Sequence, residues 1–82
     1  MDALIEQYVS ANPEICHGKP CFRGTRIPVY IVLELLEASI SPQEITGPKY
    51  YPQLTAEHIR AALHFAAQYA KNQEALPLEP AA

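Results

Sequence analysis

The side chains able to do chemistry in this chain gather in one short stretch: Cys16, His17, Lys19, Cys21, Arg23 and Arg26. Two thiols and an imidazole raise the prospect of zinc, but a structural site needs a second ligand pair beside a Cys-x(2–4)-Cys pair. The remaining histidines, His58 and His64, do not share a helix face and cannot supply it. The sequence therefore predicts no metal, and the cysteines read as small apolar residues that pack a hairpin and stay reduced. Gly18-Lys19 has the outline of a phosphate loop, yet Pro20 replaces the hydroxyl residue and Pro13 stands where the first glycine belongs. Three glycines, at 18, 24 and 47, make no dinucleotide fingerprint. The lone aspartate, Asp2, is at the terminus and supports no Asp-His-Ser relay, and Glu34 and Glu37 belong to an exposed helical face. The expectation is a non-enzyme without cofactor.

What remains is charge. Lys19, Arg23 and Arg26 form an acid-free run preceded by His17, suited to phosphate oxygens. A structural reading stands beside it, with Arg26 bridging a hairpin to a helix carboxylate and Gly24-Thr25 setting a turn. Further on, Glu57, Arg60 and His64 share the polar side of a helix. Arg60 there could contact guanine or phosphate, or pair with Glu57 or Glu44 on a solvated surface. The net charge of −3 argues against a dedicated nucleic-acid coat but leaves room for one basic edge.

These residues must be positioned by a single small domain, because 82 residues allow no more. Apolar residues make up 49% and charged ones 18%, the balance of a folded globule and not of a disordered segment. Pro28 and Glu34 interrupt the longest apolar run, so no membrane span is expected, and Met1 leads directly into acidic residues without a secretory signal. A cytoplasmic protein with no membrane partner follows. The spacing predicts a mainly α fold: a small N-terminal β-hairpin, then three helices in a helix-turn-helix-like bundle. Residues 1–73 form that domain and 74–82 a flexible proline-containing tail.

Asn12-Pro13 ends a short apolar opening (Leu4, Ile5, Tyr8, Val9), and Glu14 to Ile27 reads as two extended pieces around His17-Gly18-Lys19-Pro20. Pro28 suits the first position of a helix whose residues Ile31, Val32, Leu33, Leu35 and Leu36 are left for burial. Ser41-Pro42-x-Glu44 is a capping box with Ile40 and Ile45 as its staple, and Gly47-Pro48 stops that helix early. A third start at Thr55 opens a helix that fades near Asn72. Its buried stripe is Ile59, Ala62, Leu63, Ala66 and Ala70, flanked by Phe65 and Tyr69.

Asn12-Pro13-Glu14-Ile15-Cys16-His17-Gly18-Lys19-Pro20 and Arg23-Gly24-Thr25-Arg26-Ile27-Pro28-Val29 resemble the signature of a bacterial family, domain of unknown function 433. Ser41-Pro42-Gln43-Glu44-Ile45, Tyr51-Pro52-x-Leu54-Thr55 and Ile59-Arg60-Ala61-Ala62-Leu63 are similar to its second half, so the likeness runs from about Asn12 to Tyr69. The resemblance implies a helix-turn-helix domain and a VapB-like antitoxin, whose partner is a PIN-like ribonuclease toxin and whose second ligand is its own operator DNA. One departure is the stretch Thr46 to Tyr50, slightly longer than the family's link. DNA-reading helix pairs are joined by about three or four residues, so the longer link works against major-groove docking.

On this reading Lys19, Arg23, Arg26, Arg60 and His64 are the nucleic-acid candidates, and Phe65, Tyr69, Leu76 and Leu78 the partner-binding ones. A homodimer is expected, because burial and chain ordering nearly cancel in so small a domain. Two protomers with three phosphate contacts each would give a log–log salt slope of about −5. The competing class is an interaction or dimerisation module that binds no DNA.

Overall fold

The chain opens with a helix that its sequence does not announce. In the computed structural model, which describes residues 3–72, α1 (Ala3–Tyr8) runs directly into β1 (Val9–Ser10). Ile5 and Tyr8, one turn apart, pack onto the core. So short a helix does not persist alone in water; its carbonyl end is held from a distant point in the chain. Arg23 Nε donates to the Glu6 carbonyl at 2.9 Å and Nη2 to that of Val9 at 2.8 Å. The Arg23 amide donates to Tyr8 at 2.8 Å, and a cation at this end also complements the helix dipole.

β1 pairs antiparallel with β2 (Cys21–Phe22), Val9 opposite Phe22 and Ser10 opposite Cys21. On its other side β2 meets the segment before the next helix: Cys21 bridges Pro28, and the Phe22 amide donates to the Ile27 carbonyl at 3.0 Å. The expected hairpin over Glu14 to Ile27 is thus right in its second limb and wrong in its first, which lies upstream at Val9–Ser10. The reason is local. Asn12 Oδ1 accepts the Glu14 amide at 2.8 Å, starting a turn, and Cys16, His17 and Gly18 follow at φ 53°, 54° and 81°. Three left-handed residues make one turn of reversed hand, which no strand can cross, at about 1–2 kcal/mol for each non-glycine. The tighter turn after β2 has Gly24 at φ 82°. Thr25 Oγ1 donates to the Phe22 carbonyl at 2.8 Å and accepts the Ile27 amide at 3.0 Å.

Pro28 precedes α2 (Val29–Glu37) as its cap, with extended ψ, and is not its first helical residue. Val29 and Val32 are buried; Ile31, Leu33, Leu35 and Leu36, all expected inside, are half-buried. The helix ends with Ser39 in the left-handed region at φ 69°. The Ser39 amide donates to Leu36 at 2.9 Å and that of Ile40 to Leu35 at 3.0 Å, the Schellman pattern with serine where glycine is usual. α3 (Pro42–Ile45) is capped as its sequence predicts: Ser41 Oγ accepts the Glu44 amide at 3.1 Å, and Ile45 is buried.

α4 (Ala56–Asn72) contacts α1, α2 and α3, so the other helices share it as their support. Its buried face differs from the expected stripe. Ile59, Ala61 and Ala62 are buried and Phe65 packs against the core, whereas Leu63 is 51% exposed. Val9, Phe22, Ile27, Val29, Val32, Ile45 and Leu54 share that interior. The architecture is mainly helical with a small two-stranded antiparallel sheet. Among the described residues no helix is long and apolar enough to cross a membrane. The tail expected at 74–82, with Leu76 and Leu78, lies outside the described residues.

Candidate functional site

Where the left-handed turn ends, Pro20 is fixed by accepting the Val29 amide at 3.0 Å, which ties it to the first turn of α2. Beside it are two adjoining depressions. One, of about 220 Å³, is lined by Lys19, Pro20, Val29, Tyr30, Leu33 and Phe65. The other, of about 430 Å³, lies on the α1 side between Ile5, Val9, Arg23 and, again, Pro20 and Phe65. Phe65 is therefore a wall of both. Its ring stacks on Tyr69, with centroids 6.4 Å apart and planes 21° from parallel. Tyr69 is 62% exposed and Tyr30 44%. The smaller hollow falls below the about 300–1,000 Å³ of a small-molecule pocket and suits an anchoring side chain of a partner, while the larger one falls within that range.

The expected nucleic-acid residues are distributed over different elements. Lys19 and Arg23 border the groove, one in each depression. Arg23 spends two of its donors on the carbonyls of Glu6 in α1 and Val9 in β1, which is a structural role. Arg26 is exposed in the turn after Gly24, and its carbonyl accepts the Cys16 thiol at 3.2 Å. The Gly24-Thr25 turn is built as the structural reading foresaw, while no carboxylate lies within ion-pair distance of Arg26 among the described residues. Arg60 stands on the outer side of α4, its side chain 71% exposed and 3.5 Å from Glu57, the solvated pair weighed as one alternative. His64 is half-buried on the same helix. Of the partner-binding candidates, Phe65 and Tyr69 come together with Pro20 and Lys19; Leu76 and Leu78 are outside the described residues.

His58 is the residue that sequence reasoning missed. Its Nδ1 accepts the Thr55 amide at 3.0 Å and lies 2.9 Å from the Thr55 hydroxyl. A backbone N–H can only donate, so Nδ1 must be unprotonated. The imidazole reaches back to the start of α4 as glutamate does in a capping box. Tyr8 and Phe22 meet its ring edge-on, with centroids at 4.8 and 5.6 Å. One side chain thus joins α1, β2 and α4, and burial lowers its pKa below the usual histidine value. The signal was present as Thr55-x-x-His58, a capping box with imidazole in the carboxylate's place.

Among the described residues no three His, Cys, Asp or Glu side chains are gathered as a metal site. Both cysteines are free; Cys21 is buried and Cys16 half-buried. Burial pushes the Cys21 thiol's pKa up, and a hydrogen bond with the Cys16 thiol adds to the effect.

A family model described as "Protein of unknown function (DUF433)" matches residues 9–66. An uncharacterized protein of Sinorhizobium fredii (strain NBRC 101917 / NGR234), y4eO, is 38% identical over 64 residues, which cover 78% of this chain and 28% of that protein. The chain thus spans little more than a quarter of that relative's length. A crystal structure of a DUF433 member from Anabaena variabilis ATCC 29413 superposes with a TM-score of 0.72 at 29% identity, covering 83% of this chain and 65% of that one.

Proposed function

The chain belongs to the DUF433 family, and from that premise we propose that it acts as a protein-binding antitoxin in the cytoplasm, its groove receiving a PIN-like ribonuclease toxin. The observation that carries this reading is the aromatic wall of the groove. Phe65 is seated in the core at one edge, and Tyr69 and Tyr30 leave large apolar rings in water beside an apolar hollow. Exposed aromatics around a pre-formed pocket are what an interface anchors on. The protein's negative charge complements a basic, RNA-cleaving partner. The test is co-expression with the product of the adjacent reading frame. Rescue from toxicity and a co-purifying complex support the proposal, and Tyr69→Ala should weaken that complex about tenfold or more. A toxic neighbour that grows no better with this protein present, and forms no complex with it, overturns it.

Operator binding is the second reading, favoured by the exposure of Arg60 near the start of α4. In it α3 and α4 act as a helix-turn-helix within a homodimer, with Lys19 and Arg26 adding phosphate contacts. Glu57 beside Arg60 and the long link from Thr46 to Thr55 weigh against it. A shift of the gene's own upstream DNA at low salt and micromolar protein, lost in Arg60→Ala, is the expected result if it holds. No shift leaves the interaction module alone.

A further inference from the structure

The groove is walled by apolar side chains and charged at its rim. Tyr30, Leu33, Pro20 and Phe65 enclose the smaller hollow with Lys19 at its edge, and Arg23 and Glu6 stand at the larger one. Tyr69 extends the aromatic wall by stacking on Phe65, one turn farther along α4. Asn72, the last residue of that helix, follows Phe65 at i+7 and so shares the face that carries the wall. The chain leaves α4 on the groove's side. What comes next in the sequence is Gln73-Glu74-Ala75 and then Leu76-Pro77-Leu78-Glu79-Pro80, a P-x-x-P pattern outside the described residues. Each proline fixes its own φ and disfavours helix at the residue before it, so this sequence favours extended, polyproline-type backbone. Its two X-Pro dipeptides, Leu76-Pro77 and Glu79-Pro80, recur at the three-residue period of that conformation. Aromatic-lined grooves receive such segments because a pre-formed polyproline strand loses little entropy on docking. The reach also fits. Phe65 lies about 10 Å back along the helix from Asn72 at about 1.5 Å per residue, and the extended chain from Asn72 to Leu76 spans about 13 Å.

We propose that the groove is a receptor for the chain's own segment 76–80, which docks intramolecularly as a polyproline-type strand across both hollows. Leu76-Pro77 fills the apolar hollow between Tyr30, Leu33 and Phe65, and Glu79-Pro80 reaches the larger one. At the rim Lys19 and Arg23 outnumber Glu6, which favours the Glu79 carboxylate there. A ligand tethered by a short linker is present at an effective concentration of about millimolar. It therefore holds the groove even when its untethered affinity is weak, and any outside partner must displace it. Docking is a property of the isolated chain and holds whether or not that partner is a toxin.

The test is nuclear magnetic resonance on the intact 82-residue chain, with no partner added. Nuclear Overhauser contacts should join the Leu76 methyls and the Pro77 ring to Phe65 and Tyr30, and should not change on dilution. Amide order parameters at Leu76, Leu78 and Glu79 should stand near the value of about 0.85 found in ordered backbone. With Pro77→Gly and Pro80→Gly together, they should fall below about 0.6 and the contacts should disappear, while amide shifts remote from the groove stay in place. Tyr69→Ala, at an exposed position of the wall, should weaken the same contacts from the receptor side. Three results would each overturn the proposal. One is the absence of any contact between 76–80 and the groove in the parent protein. Another is a set of contacts that vanish on dilution or cross between differently labelled chains, which puts a second copy in the groove. The third is a docked segment that survives both glycine substitutions.

Discussion

Residues 12–28 and residues 41–72 are held together by different physics. The first stretch is specified atom by atom. Asn12, Cys16, Arg23 and Thr25 each place a side chain on a backbone group, and four residues, Cys16, His17, Gly18 and Gly24, take positive φ. The second is specified by area: caps at Ser41 and Thr55 start its helices, and Ile45, Leu54, Ile59 and Ala62 are buried beneath them. A structure fixed by single bonds is sensitive to which atom is removed. One fixed by burial is sensitive to how much is removed.

The contrast breaks most visibly in the interior. Ile45→Ala empties a site with 0% exposure and should cost about 2–5 kcal/mol, enough to lower the denaturation midpoint sharply in a domain of this size. If chemical denaturation finds it no worse than a surface change, area does not govern the helical half. Arg23→Ala comes next, at about 1.5–3 kcal/mol, because it strips charged donors from the Glu6 and Val9 carbonyls and frees the end of α1. Lysine should recover little of that loss, since it lacks the planar fork. Amide exchange should show α1 opening ahead of α4; uniform opening would erase the distinction between the two regions.

His58 sharpens the comparison because it bridges both. Its pKa is lowered in the fold, so near neutral pH both folded and unfolded forms carry a neutral ring. As pH falls below about 6.5 the unfolded chain takes up the proton first, and stability declines until the pH passes the folded value. Thermal midpoints should therefore drop between pH 7 and 5. His58→Gln, which retains an acceptor for the Thr55 amide, should flatten that part of the slope. The smallest effect has the opposite sign. Ser39→Gly relieves a left-handed serine at the end of α2 and should stabilise by about 0.5–1 kcal/mol.

The sequence was most legible where a signal is local. Ser41-Pro42-x-Glu44 set the start of α3, and the start signal at Thr55 falls directly before the first residue of α4. It was least legible where one part of the chain holds another. No pattern in residues 3–8 foretells a helix, because its carbonyls are bound by Arg23. The rotation of α4 was misjudged because Ala61 and Ala62 offer no contrast in size or polarity. Either neighbour could face inward, and the choice of Ala61 and Phe65 over Leu63 is made by α1 and α2 packing on the helix. At the site, the aromatic pair Phe65 and Tyr69 was readable from its spacing, whereas the Pro20 wall it faces depends on a turn of reversed hand.

Because Pro20 and the Phe65 ring border both hollows, neither can be filled without regard to the other. A side chain that wedges the ring toward α1 widens one chamber at the expense of its neighbour. Two bulky guests would contend for the same rotamer, while one long guest lying over the ring could engage both at once. Occupancy of one hollow is thereby coupled to the shape of the other.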